Sequence, residues 1–121
     1  MIYPRLIPTL LLDNDVLVKG KQFRNHKYLG DPINAVKIFN DKSADELCLL
    51  NIGNDANNFN FINDVVCEAF MPVTYGGNIY NFEDVNKLFS IGIEKIVLSA
   101  TLFDDPNLVD RISKTYGAQS V

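Results

Sequence analysis

Cysteine and histidine are scarce in this chain. Among 121 residues it has two cysteines, Cys48 and Cys67, and one histidine, His26. Cys48 falls in a strand-like segment and Cys67 in a helix-like one, which favours buried, reduced thiols over a disulfide. Neither cysteine has the spacing of a metal ligand, and His26 has no second histidine nearby. The sequence therefore predicts no metal site and no cofactor.

Positive charge and long hydrophobic runs are also lacking. The formal net charge is -4, and no cluster of Lys and Arg offers a face for a phosphate backbone, so we expect no nucleic-acid partner. The longest apolar run near the amino terminus, LIPTLLL, is about a third of the roughly 20 residues that span a bilayer. It also lacks the small-residue cleavage site of a signal peptide. We expect no membrane partner and a cytoplasmic protein.

Hydrophobic residues, at 47% of the chain, are plentiful enough for one domain, expected over residues 1–121. Strand-like apolar runs alternate four times with amphipathic, helix-like segments; the runs are RLIPTLLL, ELCLLNI, MPVTY and KIVLSA. Asp31 and Pro32 are expected to open the first helix, and Gly92 to close the third. VLVKGKQF, after the first run, is predicted to form an extra hairpin. The alternation predicts an α/β fold with a parallel sheet and right-handed crossovers.

Four βα units fit a small open doubly wound sheet, half of a (β/α)8 barrel, or a fragment of a longer protein. Complete barrels have about 250 residues, so we predict a (βα)4 half barrel with helices on the outside. Such a half would expose an apolar inner face and leave both outer strands unpaired, which favours a homo-oligomer. The residues AQSV, 118–121, are predicted to begin a fifth strand.

Two glycines, Gly76 and Gly77, follow the third strand-like run and precede a helix-like segment. A glycine turn exposes backbone amides, and a helix amino terminus adds partial positive charge, so the position suits a phosphate. A turn of this kind also needs flexible residues for its own sake. Both interpretations stay open on these residues alone.

Segments spread along the chain resemble the cyclase subunit of imidazole glycerol phosphate synthase, a (β/α)8-barrel lyase of histidine biosynthesis. They are RLIP, VKGKQFRNH with GDP, ADEL, PVTYGGNI, EDVNKL, EKIVLSA and YGAQSV, and they match only the amino-terminal half of that barrel. Proteins of this family take ammonia from a partner glutaminase and add it to a phosphorylated substrate at the carboxyl-terminal face. The resemblance implies a glutaminase partner and a phosphorylated small-molecule substrate.

The resemblance also implies a phosphate site. Its residues would be Gly76, Gly77, Asn78, Ser99 and Thr101. Asn78 stands where the family has a third glycine, and its residue type tolerates unusual backbone angles. Ser99 and Ala100 stand where the family has an Asn-Thr pair, so one side-chain donor is retained in kind and Thr101 is expected to replace the other.

The catalytic residues of the family are not matched. Its reaction uses two aspartates as general acid and base. Leu11 occupies the position of the first, and the position of the second lies beyond Val121. Lys19 matches a mobile lysine that reaches the substrate, and Asn51 replaces an acidic residue; both are candidate substrate contacts. We expect this chain alone to be inactive.

Three charged residues, Arg5, Glu46 and Lys95, lie beside or within apolar strand-like runs. A buried charge is costly unless it is paired. By resemblance, these positions belong to a ring of salt bridges that gates ammonia at the amino-terminal mouth of the barrel. A purely structural layer closing the bottom of the barrel is an equally good interpretation.

The leucine-rich start and GDPINAVKIFN look closer to a divergent branch of the family, linked to glutamine-dependent amination or amidination of surface-polysaccharide sugars. One hypothesis is therefore an ammonia-accepting synthase subunit acting on a phosphorylated or nucleotide-linked sugar. The other is a non-catalytic, phosphate-binding half barrel or truncated fragment that self-associates. Ammonia-dependent turnover distinguishes the two.

Overall fold

The computed structural model describes residues 4–13, 15–21, 25–53, 56–98 and 106–121. Within these ranges the strands are β1 Thr9–Asp13, β2 Val16–Lys21, β3 Asn25–Gly30, β4 Leu47–Asn51, β5 Val73–Gly76 and β6 Lys95–Val97. The helices are α1 Pro32–Asp41, α2 Phe59–Glu68, α3 Phe82–Ile91 and α4 Pro106–Tyr116, followed by a 3-10 helix at Ala118–Ser120. None of these helices is long and apolar enough to cross a bilayer.

The strands form one sheet in the order β3-β2-β1-β4-β5-β6. β1, β4, β5 and β6 are parallel neighbours in chain order, and a helix lies between each of them and the next. A doubly wound sheet would reverse its strand order at a switch point, whereas a barrel adds each new strand beside the last. The predicted (βα)4 arrangement, half of a (β/α)8 barrel, is therefore confirmed.

A hairpin follows the first strand, as predicted, but VLVKGKQF supplies only its first strand, β2, which pairs antiparallel with β3 beyond that segment. β2 also pairs antiparallel with β1, placing Leu11 opposite Val18 and Asp13 opposite Val16. Our expectation that both outer strands lack partners is therefore wrong for the carboxyl-terminal part of β1. The short turn at Asp15, which has φ 61°, brings the chain straight back along the same edge, and this pairing protects the edge.

The parallel strands have one face towards the helices and one away from them. Leu10, Leu49, Tyr75 and Ile96 form one register row across the sheet, and each is at most 7% exposed. They pack in a core whose helical members include Val36, Ile62, Val65, Val85, Leu88, Leu108 and Ile112. Because side chains alternate along a strand, the intervening residues point to the opposite face.

That opposite face corresponds to the inside of a barrel, and we call it the inner face. Its two register rows are Thr9, Cys48, Thr74 and Lys95, and Leu11, Leu50, Gly76 and Val97. Val97 is 43% exposed and Thr9 is also exposed, whereas Gly76 is buried and the other residues of the two rows are half-buried. The expected exposed inner face is confirmed, although one of these rows is mostly polar.

Both cysteines are reduced, as predicted, but only one is shielded. Cys48 lies half-buried on the inner face, whereas Cys67 is exposed on α2. Burial raises the pKa of the Cys48 thiol, and a hydrogen bond with Thr9 partly offsets this rise. The expectation that both thiols are buried is wrong for Cys67, because its position on α2 faces solvent.

Local signals placed the helix ends correctly. The Asp31 carboxylate accepts a hydrogen bond from the Ile33 backbone N–H at 3.0 Å, and Pro32 is the first residue of α1. Gly92 ends α3 with φ 119°, and Gly117 follows α4 with φ 100°. These are the conformations that a helix cap and a terminating glycine require.

The first strand is shorter than its apolar run. β1 begins at Thr9 rather than Arg5, because Pro8 has no N–H to donate to a ladder. The preceding residues still follow β4 closely, and the Leu6 carbonyl accepts from the Asp45 N–H at 2.9 Å.

The prediction that AQSV begins a fifth strand is wrong. Ala118–Ser120 form a 3-10 helix, in which the Ser120 N–H donates to the Gly117 carbonyl at 3.1 Å and its hydroxyl to the Tyr116 carbonyl at 2.8 Å. Ser120 is buried. An apolar groove of about 300 Å³, lined by Ile96, Val97, Leu98, Val109 and Val121, lies beside β6.

Candidate functional site

The carboxyl-terminal ends of β4 and β5 bring several predicted site residues together. β4 ends at Asn51 and β5 ends at Gly76, and the parallel register pairs Leu50 with Gly76. Gly77 and Asn78 then lead towards α3. We call Gly76–Asn78 the glycine turn. In parallel α/β structures this end of the sheet is where ligands bind.

Packing alone requires both glycines. A Cβ on Gly76 would lie 2.8 Å from Val97 Cβ and 3.0 Å from Leu50 Cδ2, because neighbouring strands crowd this position. A Cβ on Gly77 would lie 2.1 Å from the Asn51 carbonyl oxygen, and Gly77 has φ 106°. Their presence is therefore explained without a ligand, and the phosphate interpretation has to rest on other observations.

Asn78 has the backbone angle that its position demands. Its φ is 55°, in the left-handed region that asparagine adopts more readily than most residues. Its side-chain amide donates to the Gly53 carbonyl at 2.9 Å, which ties the turn to the loop after β4. The substitution of asparagine for the family's third glycine is thus compatible with the fold of the turn.

A network of side-chain hydrogen bonds links the glycine turn to the ends of β4 and β5. The Asn57 Nδ2 amide donates to the carbonyls of Gly77 at 3.0 Å and Asn78 at 3.1 Å. Its Oδ1 accepts from the Tyr75 hydroxyl at 2.7 Å and from Asn51 Nδ2 at 2.9 Å. Asn57 therefore links the ends of β4 and β5 to the turn.

Sequence reasoning missed Asn57 and Tyr75. Asn57 lies in an asparagine-rich segment that shows only turn and helix-start signals, and Tyr75 looks like an ordinary core residue of a strand. Tyr75 is in fact 2% exposed, and its hydroxyl finds a partner within the network. Burial raises the pKa of the Tyr75 phenol far above its ordinary value, so the hydroxyl remains a donor.

Asn51 has a structural set of partners. Besides donating to Asn57, it accepts a hydrogen bond from the Gly53 N–H through Oδ1 at 3.1 Å. An aspartate at this position has no N–H to donate to Asn57. The asparagine therefore suits this network, and its predicted contact with a substrate stays a prediction.

The amino terminus of α3 is already capped from within the chain. The Asn81 side chain accepts from the Asp84 N–H at 2.8 Å, and Glu83 and Asp84 lie in the first turn of the helix. These acidic residues already complement the positive end of the helix dipole and oppose a second anion. An anion at the glycine turn would therefore depend on the backbone of the turn more than on α3.

The structure locates only some of the remaining residues that were predicted to contact the substrate. Lys19 lies in β2, where its backbone pairs with that of Lys27 in β3. Ser99 and Thr101 lie outside the described residues. Leu11, at the position of the family's first aspartate, lies on the inner face opposite Leu50. An aliphatic side chain therefore stands where that family places an acid.

The charged residues predicted for the amino-terminal end come together in part. Arg5 Nη2 and Glu46 Oε1 form an ion pair at 2.6 Å, with side-chain exposures of 61% and 16%. Lys95 is the first residue of β6 and lies half-buried on the inner face. Among the residues that the structure describes, no ion pair joins Lys95 to the other two, and their gating role stays a prediction.

The fold and the glycine turn define a class of protein: half of a (β/α)8 barrel with a candidate anion site at the carboxyl ends of its strands. The family described as "Histidine biosynthesis protein" matches residues 5–121. This chain belongs to that family, and the predicted resemblance is confirmed.

Similar proteins include three that carry the name of one enzyme. The Pseudomonas aeruginosa protein named "Putative imidazole glycerol phosphate synthase subunit hisF2" is 45% identical over 125 residues, which cover 100% of this chain and 50% of that protein. The Leptospira interrogans "Putative imidazole glycerol phosphate synthase subunit HisF" is 42% identical, covering 100% and 49%. The Campylobacter concisus "Imidazole glycerol phosphate synthase subunit HisF" is 37% identical, covering 97% and 48%. The chain spans about half the length of these relatives.

Proposed function

We propose that this chain is half of an ammonia-accepting synthase subunit that binds a phosphorylated small molecule at the glycine turn. The observation that carries the proposal is the place of the turn, at the carboxyl ends of the parallel strands β4 and β5, in a chain of this family. Gly76, Gly77 and Asn78 contribute the backbone, and Ser99 and Thr101 contribute side-chain donors. A second (βα)4 half completes the barrel, and a glutaminase supplies ammonia.

The proposed reaction differs from the cyclase reaction because Leu11 occupies the position of the first catalytic aspartate. Leu11 carries no proton to transfer, and Leu50, beside it in the same register row, makes this part of the inner face apolar. A changed acceptor, such as a phosphorylated or nucleotide-linked sugar that is aminated or amidinated, is consistent with this loss. The chain alone therefore binds its substrate without turning it over.

The amino-terminal end is the surface that we assign to the glutaminase. The Arg5–Glu46 ion pair lies there, with Glu94 at the start of the segment that leads into β6. Ammonia released at this end would pass along the inner face towards the glycine turn. A pull-down with the glutaminase subunit of an imidazole glycerol phosphate synthase tests this assignment, and loss of binding in Glu46→Arg with retained binding in the surface control Lys114→Glu is the expected result.

Phosphate binding is tested by NMR titration of the ¹⁵N-labelled chain with inorganic phosphate and with a sugar phosphate. We expect the largest amide shifts at Gly77, Asn78 and Ile79. Gly77→Ala should abolish them, because its Cβ would lie 2.1 Å from the Asn51 carbonyl oxygen. Gly92→Ala is the matched control, since Gly92 also has a positive φ of 119° but lies at the other end of α3. Shifts confined to other residues would contradict the proposed site.

The second candidate function is a non-catalytic half barrel that binds phosphate and self-associates. The exposed inner face favours it, because Val97 and the apolar groove beside β6 leave hydrophobic surface in contact with water. Light scattering gives the mass of the chain in solution. A dimer that binds phosphate but shows no ammonia-dependent turnover, even with a glutaminase present, would favour this function over the synthase.

A further inference from the structure

Asn57 uses its whole hydrogen-bonding capacity at the glycine turn. A side-chain amide has two N–H donors and two acceptor lone pairs. Its two donor contacts go to the carbonyls of Gly77 and Asn78, at 3.0 and 3.1 Å. Its two acceptor contacts come from Tyr75 and Asn51, at 2.7 and 2.9 Å. All four partners belong to the strand ends or to the turn.

The chemistry of these partners fixes the orientation of the Asn57 amide. Gly77 and Asn78 present carbonyl oxygens, which can only accept, so they must face the Nδ2 group. Asn51 presents its Nδ2 group, since its Oδ1 accepts from the Gly53 N–H at 3.1 Å. A flipped Asn57 would set an oxygen against two carbonyl oxygens and an N–H group against another. Only one orientation satisfies every group.

The contacts of Asn57 set the direction of two peptide groups. The described part of the chain contains no cis peptide bond, and in a trans peptide the N–H points away from the carbonyl. With the Gly77 carbonyl directed at Asn57, the N–H of Asn78 points to the other side of the turn. The same holds for the Asn78 carbonyl and the N–H of Ile79.

We infer that Asn57 is a positioning residue, which holds the glycine turn in its left-handed conformation and thereby sets the affinity of the turn for phosphate. This inference rests on the proposed phosphate binding for its functional consequence. Tyr75 and Asn51 support Asn57 in turn, because their donors fix the acceptor side of its amide. The phosphate itself needs no contact with any of the three side chains.

Three variants and one control test this role. Asn57→Ala removes all four hydrogen bonds, and the nearly isosteric Asn57→Asp sets a carboxylate oxygen against the two turn carbonyls. Tyr75→Phe keeps both donor contacts of Asn57 and removes one acceptor contact. The control is Asn40→Ala. Asn40 also joins two backbone groups, donating to the Glu68 carbonyl and accepting from the Phe70 N–H at 2.9 Å each, but near the opposite end of the sheet.

The first measurement is made without ligand, by NMR of the amide shifts and of the N–H to Hα coupling of Asn78, which reports its positive φ. Both Asn57 variants should change these signals at Gly77, Asn78 and Ile79, whereas Asn40→Ala should leave them unchanged. The Tyr75→Phe variant covers the case in which the Asn57 variants do not fold, and it should shift the same amides to a smaller extent. Unchanged turn signals in the folded variants would overturn the inference.

The second measurement is titration of each folded variant with inorganic phosphate. We expect about a tenfold weaker phosphate affinity in both Asn57 variants and about a threefold weaker affinity in Tyr75→Phe, which are the effects expected when ordinary hydrogen bonds are lost. An equal loss in Asn40→Ala would overturn the inference, because it would show a general effect of destabilisation. If phosphate causes no amide shifts in the wild type but the variants still change the turn signals, the proposed phosphate binding is wrong and the conformational role of Asn57 is supported.

Discussion

Gly77→Ala is expected to destabilise the fold more than any other replacement of a positive-φ glycine in the described parts of the chain. A left-handed backbone costs a residue with a Cβ about 1–2 kcal/mol, and Gly77 has φ 106°. The new Cβ would also lie 2.1 Å from the Asn51 carbonyl oxygen and 2.9 Å from its carbonyl carbon. Both contacts are with backbone, so no side-chain rotation relieves them.

The turn must therefore move away from β4, and this movement breaks its hydrogen bonds to Asn57. Two such bonds contribute about 1 kcal/mol each, which brings the expected loss to about 3–4 kcal/mol. Gly92→Ala provides the comparison. Gly92 has a similar φ of 119°, but its Cβ would meet only the Val66 Cγ1 atom at 3.2 Å, a contact that a shift of a few tenths of an ångström relieves. Its expected loss is about 1–2 kcal/mol.

Urea unfolding of the wild type and of both variants measures the difference. A domain of this size has a free energy of unfolding of about 5–15 kcal/mol, so Gly77→Ala should retain a measurable transition. Equal losses in the two variants would refute the reasoning, since the strain of φ is common to both and only the contact with Asn51 differs. A loss in Gly77→Ala below about 2 kcal/mol would refute it as well.

Three further predictions concern charge, titration and association. Tyr75→Phe should lower the free energy of unfolding by about 1 kcal/mol at neutral pH. Burial raises the pKa of the phenol in the folded protein. In urea unfolding, the wild type should therefore lose stability relative to this variant as the pH rises above about 10, the pKa of the phenol in the unfolded chain. Glu83→Gln should strengthen phosphate binding about twofold in low salt, which is the effect of removing one unit charge at about 10 Å in water. Glu94→Gln is the control. An effect of Glu83→Gln that persists in high salt would contradict this prediction. Val97→Lys should lower the mass measured by light scattering if the inner face is the contact, whereas Ile38→Lys, at a position 57% exposed on α1, should not.

The order of elements could be predicted from sequence because its signals are local. Asp31 caps α1 through the backbone only two residues away, and Gly92 ends α3 by its own backbone angle. The failed predictions involve a choice between local and distant hydrogen-bond partners. The pairing of β1 with the hairpin and the 3-10 helix at Ala118–Ser120 depend on which partners compete for the same backbone groups.

The sequence predicted Asn51 and the glycine turn as residues of the candidate site, but not Asn57 and Tyr75. Asn57 lies 6 residues from Asn51, 18 from Tyr75 and 20 from Gly77 in sequence. No periodicity or spacing marks such a set. These residues meet because the register of parallel strands brings the ends of β4 and β5 side by side.

The sequence by itself determined the four βα units, their helix ends and the family, since these depend on alternation of apolar residues, on caps and on motifs. Only the tertiary structure decided that Leu11 lies on the inner face, that Gly77 packs against Asn51, and that Asn57 holds the turn. The physical reason is that backbone preference acts over a few residues, whereas the direction of a side chain and its hydrogen-bond partner follow from strand register and packing.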